Sequence, residues 1–343
     1  MAAIPLLLLL VLGLLSLLHL VAGSAGDSSW AFNKCLRNCK VARCTMSDAE
    51  YAASQPWYMN LLGWDCAANC DYYCMWPTVQ DFIKDGSPIP QFHGKWPFVR
   101  VLGIQEPASV AFSILNLLSH VTMLLVFRRK VPASAPMYYI WHAYSAVSSN
   151  AWLWSTVFHT RDTPFTEKMD YFCALSLVLF GLVVLAARVI GSQRPWHLLT
   201  VTVALLAFYL QHVYYMGWVS FSYGYNMKVN VAVGLVNSLG WFAWCWLHHK
   251  QQPYVWKAAV SILCVNALVG LELGDFPPLW WVFDAHSLWH AGTIPIPFLW
   301  YSFMIDDSLY QLKSRQKDTS SKSANKAQVD CDNKKSAKKE KVS

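Results

Sequence analysis

The sequence predicts an all-α membrane protein, a seven-transmembrane helix bundle with a small disulfide-rich N-terminal segment on the lumenal side. Three observations predict it. Only 14% of the 343 residues are charged and 55% are hydrophobic, whereas about a quarter of the residues in a soluble domain are charged. Seven apolar stretches, each near the roughly 20 residues that cross a bilayer, follow one another in the second part of the chain. Six cysteines cluster ahead of them, behind an N-terminal apolar run. Alternation of period two is absent, which argues against a membrane β-barrel.

The elements follow in order. Residues 1–25 carry a long apolar run, Leu6 to Leu20, and then the small residues Ala22, Gly23, Ser24 and Ala25. That pattern predicts a cleaved secretory signal peptide, although its start lacks a basic residue; an uncleaved anchor is the competing reading. Residues 26–106 hold Cys35, Cys39, Cys44, Cys66, Cys70 and Cys74. An even number of cysteines in an exported segment predicts three disulfides, whose connectivity spacing alone does not choose. A zinc ribbon is disfavoured by the oxidising compartment and by the spacings. Cys173, Cys245, Cys264 and Cys331 are read as packing residues.

The seven stretches, within residues 107–304, are Ala108–Phe127, Met137–Val157, Tyr171–Val189, Leu198–Gly217, Val229–Leu247, Val255–Leu273 and Leu279–Met304. Pro295 and Pro297 predict a kink or an early end in the last one. Basic residues occupy alternate loops: Arg128, Arg129 and Lys130, then Arg188 and Arg194, then Lys250 and Lys257, then the tail. Basic loops belong in the cytosol, so the N-terminus is expected in the lumen and the C-terminus in the cytosol. The tail, residues 305–343, is lysine-rich, and from Lys313 it lacks aromatics, which predicts disorder. Its end, with Lys339 and Lys341, resembles a dilysine-type retrieval signal, and coat-protein recognition is the partner this implies. The net charge of +7 sits largely in that tail and on no folded face, so nucleic acid is excluded as a partner and membrane lipids are expected instead.

Ionisable groups inside membrane spans are expensive and require an explanation. His286 and His290 are four residues apart, so they share one helix face and both can reach one metal ion. Alone the pair is a weak motif, and polar residues pairing between helices are the competing reading. Ser155 and His159 repeat the four-residue spacing at the end of the second stretch, and Asp170 opens the third. On the topology above, all five residues converge near the lumenal face. Three histidine nitrogens leave a fourth tetrahedral position of Zn2+ for water, whose pKa falls towards about 7. Asp170 is then the candidate general base, and Ser155 the group that holds the oxyanion or orients the water. His120 and Asn150 are candidates for supporting groups behind the ligands. His120, His142 and His212 are read as interhelical hydrogen bonders. Asp162 beside Arg161 suits a local ion pair, and Asp284 suits holding a partner helix or lining the substrate path.

The run Ser155-x-x-x-His159-Thr-Arg-Asp, then Asp170, then His286-x-x-x-His290, resembles the CREST superfamily of membrane hydrolases. With the six-cysteine segment, the Asn150-to-Asp162 run and Asp284-Ala-His286-Ser-Leu-Trp-His290, it resembles that group's branch for fatty-acid remodelling of glycosylphosphatidylinositol (GPI) anchors. The resemblance implies a GPI-specific phospholipase A2 that removes the sn-2 acyl chain, with GPI-anchored proteins and their lipid as substrate. It implies a multi-pass protein of the Golgi membrane that cycles through the endoplasmic reticulum. It places zinc on His159, His286 and His290 and catalysis on Ser155 and Asp170. A ceramidase-like amide hydrolase and a seven-span lipid receptor or scaffold without turnover are the alternatives. The six-cysteine segment disfavours the ceramidase, because it offers a surface for the GPI glycan or the attached protein.

Overall fold

The computed structural model describes residues 24–191 and 194–340, with side chains described as far as residue 321. The expected signal peptide, except its last two residues, and the side chains of the C-terminal lysines lie outside them. Among the described residues the chain is helical, without strands. The N-terminal part holds α1 (Ala25–Ser28), α2 (Trp30–Arg43), α3 (Asp48–Ser54), α4 (Trp57–Leu61) and α5 (Cys66–Lys84). The bundle holds α6 (Pro107–Lys130), α7 (Tyr138–Thr160), α8 (Pro164–Ile190), α9 (Pro195–Tyr214), α10 (Tyr223–His248), α11 (Trp256–Gly274), α12 (Ala285–Thr293) and α13 (Ile296–Glu340).

The six cysteines form three nested disulfides, Cys35–Cys74, Cys39–Cys70 and Cys44–Cys66. Cys66, Cys70 and Cys74 are each four apart and so line one face of α5. Cys35 and Cys39 do the same on α2, and the two helices zip together antiparallel. The Asp65 side chain accepts the Ala68 amide at 2.7 Å and starts α5. This hairpin docks on one end of the bundle. The Val99 amide donates to the Trp281 carbonyl at 2.9 Å. Trp76 meets Trp281 edge-on at 5.3 Å. Trp96 Nε1 donates to Asp275 at 2.6 Å.

The bundle helices pack in a ring: α6 on α7, α7 on α8, α8 on α10, α10 on α11, α11 on α12 and α13, and these back on α6, with α9 outside against α8. The aromatic core lies at the end away from the hairpin. Phe127, Trp141, Val184, Trp241, Trp244, Tyr301 and Phe303 meet there. Close by, the buried Asp307 accepts both Arg188 Nε, at 2.9 Å, and the Tyr254 hydroxyl, at 2.9 Å.

Five helices are long and apolar enough to cross a membrane: α6, α8, α9 with its π-helical continuation to Val219, α10, and α11 with the turn before it. Two expected spans differ. α7 is 23 residues long, but serines and aromatics replace aliphatic residues on it, because its inner face carries the site. The seventh stretch is not one helix. Leu279–Phe283 forms a tight turn, Asp284 caps α12, and α12 ends at Thr293, ahead of Pro295. Pro295 ends the run as expected. The early break was unexpected; Asp284 makes it, because its side chain accepts the Ser287 amide and the Ser287 hydroxyl engages the Asp284 backbone. The backbone of α13 stays helical to Glu340, where the tail's composition predicts disorder. Its lysines and alanines are good helix formers, and the buried first turns of α13 supply a nucleus for propagation.

Candidate metal centre

The site lies at the hairpin end of the bundle, where α6 and α8 begin and α7 and α11 end. Four-residue spacing puts His286 and His290 on one face of α12, and His159 faces them from the last turn of α7. His286 Nε2 lies 3.3 Å from His159 Nε2 and 2.8 Å from His290 Nε2. All three ligand atoms lie within 4.8 Å of one another. The expected triad is therefore brought together.

The outer nitrogens show what these rings are arranged to do. His159 Nδ1 donates to Glu106 Oε2 at 2.6 Å and His286 Nδ1 donates to Glu272 Oε2 at 2.5 Å. His290 Nδ1 lies 3.3 Å from Ser113 Oγ. With each Nδ1 proton given outward, every Nε2 points a lone pair at the same small space. Three converging lone pairs repel unless a cation lies among them. Imidazoles oriented from behind by carboxylates are the usual support of a protein metal site. The donor set, three neutral histidines, fits zinc.

Glu106 is set by backbone. The Gln105 and Glu106 amides donate to the Thr160 and His159 carbonyls, each at 3.0 Å, and strap the start of α6 to the end of α7. Lys95, from the hairpin segment, pairs with Glu106 and with Asp162, the latter at 3.1 Å. Burial pushes the Glu106 carboxyl up, but the Lys95 ammonium and His159 outweigh it and hold it well below the usual carboxylate range. Burial disfavours the Lys95 charge, and the two carboxylates reverse that and raise its pKa. Asn116 Nδ2 donates to the His290 carbonyl at 2.8 Å and fixes α12 to α6.

Ser155 is buried, and its Oγ lies 3.1 Å from Ser113 Oγ, so it joins the chain of contacts behind His290. Asp170 is half-buried and lies near His159 and His286. Among the described residues its carboxylate has no hydrogen-bond or ion-pair partner. The expected supporting residues are not where the sequence reading put them. His120 Nδ1 meets the Tyr301 hydroxyl at 3.3 Å, the interhelical bond that was its other expected role, and Asn150 donates to Cys173 Sγ at 3.1 Å. His142 bonds the Tyr138 carbonyl of its own helix, whereas His212 does bridge, to Asn226 at 3.2 Å. Asp162 pairs with Lys95 rather than Arg161. Glu106, Glu272, Ser113 and Lys95 were missed. Glu272 carried a usable signal, an acid in the last turn of an apolar helix.

The second group of close potential ligands, Cys44, Cys66 and Cys70, is committed to disulfides.

A human protein described as GPI-specific phospholipase A2-like PGAP3 is 47% identical over 298 residues, 87% of this chain and 93% of its own length. The Danio rerio protein of the same description is 47% identical over 296 residues, 86% of this chain and 94% of its own. The Drosophila melanogaster protein described as post-GPI attachment to proteins factor 3 is 40% identical over 298 residues, 85% and 91%. No solved structure matches. The family profile described as Per1-like spans residues 56–308, from α4 through the centre to the first turns of α13, and the chain belongs to the Per1-like family.

Proposed function

We propose that the chain is a zinc-dependent lipid ester hydrolase that removes the sn-2 acyl chain from the GPI anchors of proteins. The observation that carries this is the convergence of three Nε2 atoms while each Nδ1 is engaged from behind. The relatives' descriptions supply the substrate. A zinc ion held by His159, His286 and His290 would supply a water of lowered pKa and a Lewis acid for the ester carbonyl.

The chain's own residues would do the rest. For His290 to present a lone pair inward, its Nδ1–H must donate to Ser113 Oγ. The Ser113 hydroxyl then donates to Ser155 Oγ, which leaves the Ser155 O–H free to donate to the developing oxyanion. Asp170, with its oxygens unengaged, accepts the proton of the attacking water and passes it to the leaving alkoxide. Glu106 and Glu272 keep the rings in the metal-binding tautomer.

The chain crosses the bilayer seven times on this reading, α7 and the α12–α13 pair being the less apolar crossings. The centre then faces the lumenal leaflet of the Golgi membrane, where GPI lipid resides, and the C-terminus is cytosolic. The test is zinc content and acyl release from a GPI lipid, for the purified wild type and for His286→Ala. One zinc per chain with release lost in His286→Ala supports the proposal. Zinc without release favours a lipid receptor or scaffold, release from ceramide instead favours an amidase, and absence of zinc removes the reading.

A further inference from the structure

At the end of the helix that carries His159, two half-buried arginines stand without an ion-pair partner. The Arg100 guanidinium lies 3.2 Å from the centre of the Trp64 ring and 4.1 Å from that of Tyr72. The Arg161 guanidinium lies 3.6 Å from the same Trp64 ring. Two cations so close to one ring centre must take opposite faces, so Trp64 is sandwiched between them. Trp64 is itself buried and anchored by Nε1 to the Gly103 carbonyl at 2.8 Å.

Neither guanidinium forms an ion pair among the described residues. Arg100 donates only to neutral acceptors, Asn69 Oδ1 at 3.0 Å and the Ala68 carbonyl at 3.5 Å. Arg161 donates to the Asp162 carbonyl at 2.7 Å, and its buried Nε has no partner. Asp162 and Asp65 act on Arg161, and Asp71 on Arg100, only through space: Asp162 pairs with Lys95, the Asp65 side chain caps α5, and none of the three forms an ion pair with either guanidinium. Burial first, with the like charge of Arg161 behind it, pushes Arg100 down to about 9. Cation–π contact offsets only part of the cost of burying such charges. A cavity of about 120 Å3 opens beside Arg100, lined also by Lys95, Trp96 and Gln105 and by the carboxylates Asp71 and Asp162; Arg161 does not line it.

The geometry points to Arg100 and Arg161 as the site that binds the phosphodiester of the lipid substrate. This rests on the hydrolase reading. Arg161 stands two residues past His159, at the end of the helix that carries that ligand. The sn-2 ester and the phosphodiester sit on neighbouring glycerol carbons, so an ester held at the three histidines puts its phosphate at that helix end. Guanidinium forks match a phosphate's oxygens in pairs, and both arginines retain free N–H donors. The site accepts anionic phosphodiester lipids and disfavours neutral lipids such as ceramide or diacylglycerol, which leave the two cations unpaired.

The test is binding. Fluorescent phosphatidylinositol and a diacylglycerol with the same acyl chains are titrated onto the full-length His286→Ala chain in maltoside micelles. Phosphatidylinositol is expected to bind about tenfold or more tighter, the worth of a charged hydrogen-bond pair. Adding Arg100→Gln or Arg161→Gln should collapse that ratio towards one, and Arg100→Lys, which keeps the charge without the fork, should keep part of it. Melting temperatures accompany each variant; if the Gln variants unfold, the Lys variant carries the comparison. An unchanged ratio in the Gln variants, or a Lys variant as impaired as Gln, overturns the proposal and leaves a structural stack. Equal binding of the two lipids, with inorganic phosphate alone protecting the protein against melting, also overturns it, in favour of a free-anion site. Acyl release by the wild type is scored separately: a retained preference without release sinks the hydrolase reading and keeps the phosphate site.

Discussion

Glu272 separates the support of the metal centre from the stability of the fold. Its Oε2 accepts His286 Nδ1 at 2.5 Å, and its remaining contact is a Tyr223 hydroxyl at 3.4 Å. Glu272→Gln keeps the shape and an acceptor oxygen but loses the charge; Glu272→Ala loses both. Outer partners of metal-bound histidines are worth about 10- to 100-fold in metal affinity. Gln should therefore weaken zinc about tenfold, about 1.4 kcal/mol, and Ala about 100-fold, about 2.7 kcal/mol. Zinc affinity is read by competition with a chelator, and the metal-free melting temperature should barely move. Glu106→Gln is the contrast. It weakens zinc similarly, but it also leaves Lys95 with Asp162 alone, so the metal-free protein should lose about 1–3 kcal/mol as well. Unchanged zinc affinity in Glu272→Ala, or equal melting losses in Glu272→Gln and Glu106→Gln, would refute this division of roles.

Three further outcomes are expected. Replacing Cys39 and Cys70 together by Ser opens a disulfide of sequence separation 31 and should cost the hairpin about 2–4 kcal/mol, seen as early protease cleavage in residues 30–84 while zinc stays bound to the bundle. Gly292 faces Leu268, whose Cδ2 lies 2.4 Å from where a Cβ would stand; Gly292→Ala should push α12 off α11, cost about 1–3 kcal/mol and weaken zinc, and unaltered zinc binding would show that α12 is not fixed by that contact. Changing Lys339 and Lys341 to Ser should move a tagged chain forward out of the early secretory pathway, and an unmoved tag would remove the coat-protein reading.

The fold was largely legible because membrane burial writes itself in composition. Spans 20 residues long with basic loops between them placed α6, α9 and α11 to within a few residues and began six or seven residues late for α10 and α8. α7 was found by length alone, because the polarity that lowers its hydropathy is the polarity of the site. The last stretch was read as one helix, kinked or ended at its prolines, because an apolar run hides a cap. Asp284 looks like a costly buried charge, yet it starts α12, and Ser287, three residues on, is the partner that would have shown this. The disulfide pairing was equally illegible in spacing, since nested and crossed connectivities share one cysteine list; the antiparallel packing of α2 on α5 chooses between them.

At the centre the ligands were readable and their supports were not, for a physical reason. Two histidines four apart on a helix declare a shared face, but a carboxylate behind a ring can come from any element packed there. Glu106 reaches His159 only because the Gln105 and Glu106 amides strap the start of α6 onto the end of α7, a contact that no local pattern encodes. The candidates for support were Asn150, from a motif-bearing run, and His120, from the first span, and they face Cys173 and Tyr301 instead. Depth was the better guide. Glu106, Glu272, His159 and Asp170 all lie within a turn or so of the same end of their helices. Charged groups at one depth of a bundle must neutralise one another or bind an ion, because lipid offers them no water. By that rule Arg100 and Arg161, which form no ion pair among the described residues, belong to the same accounting as the histidines, and an anion is what completes them.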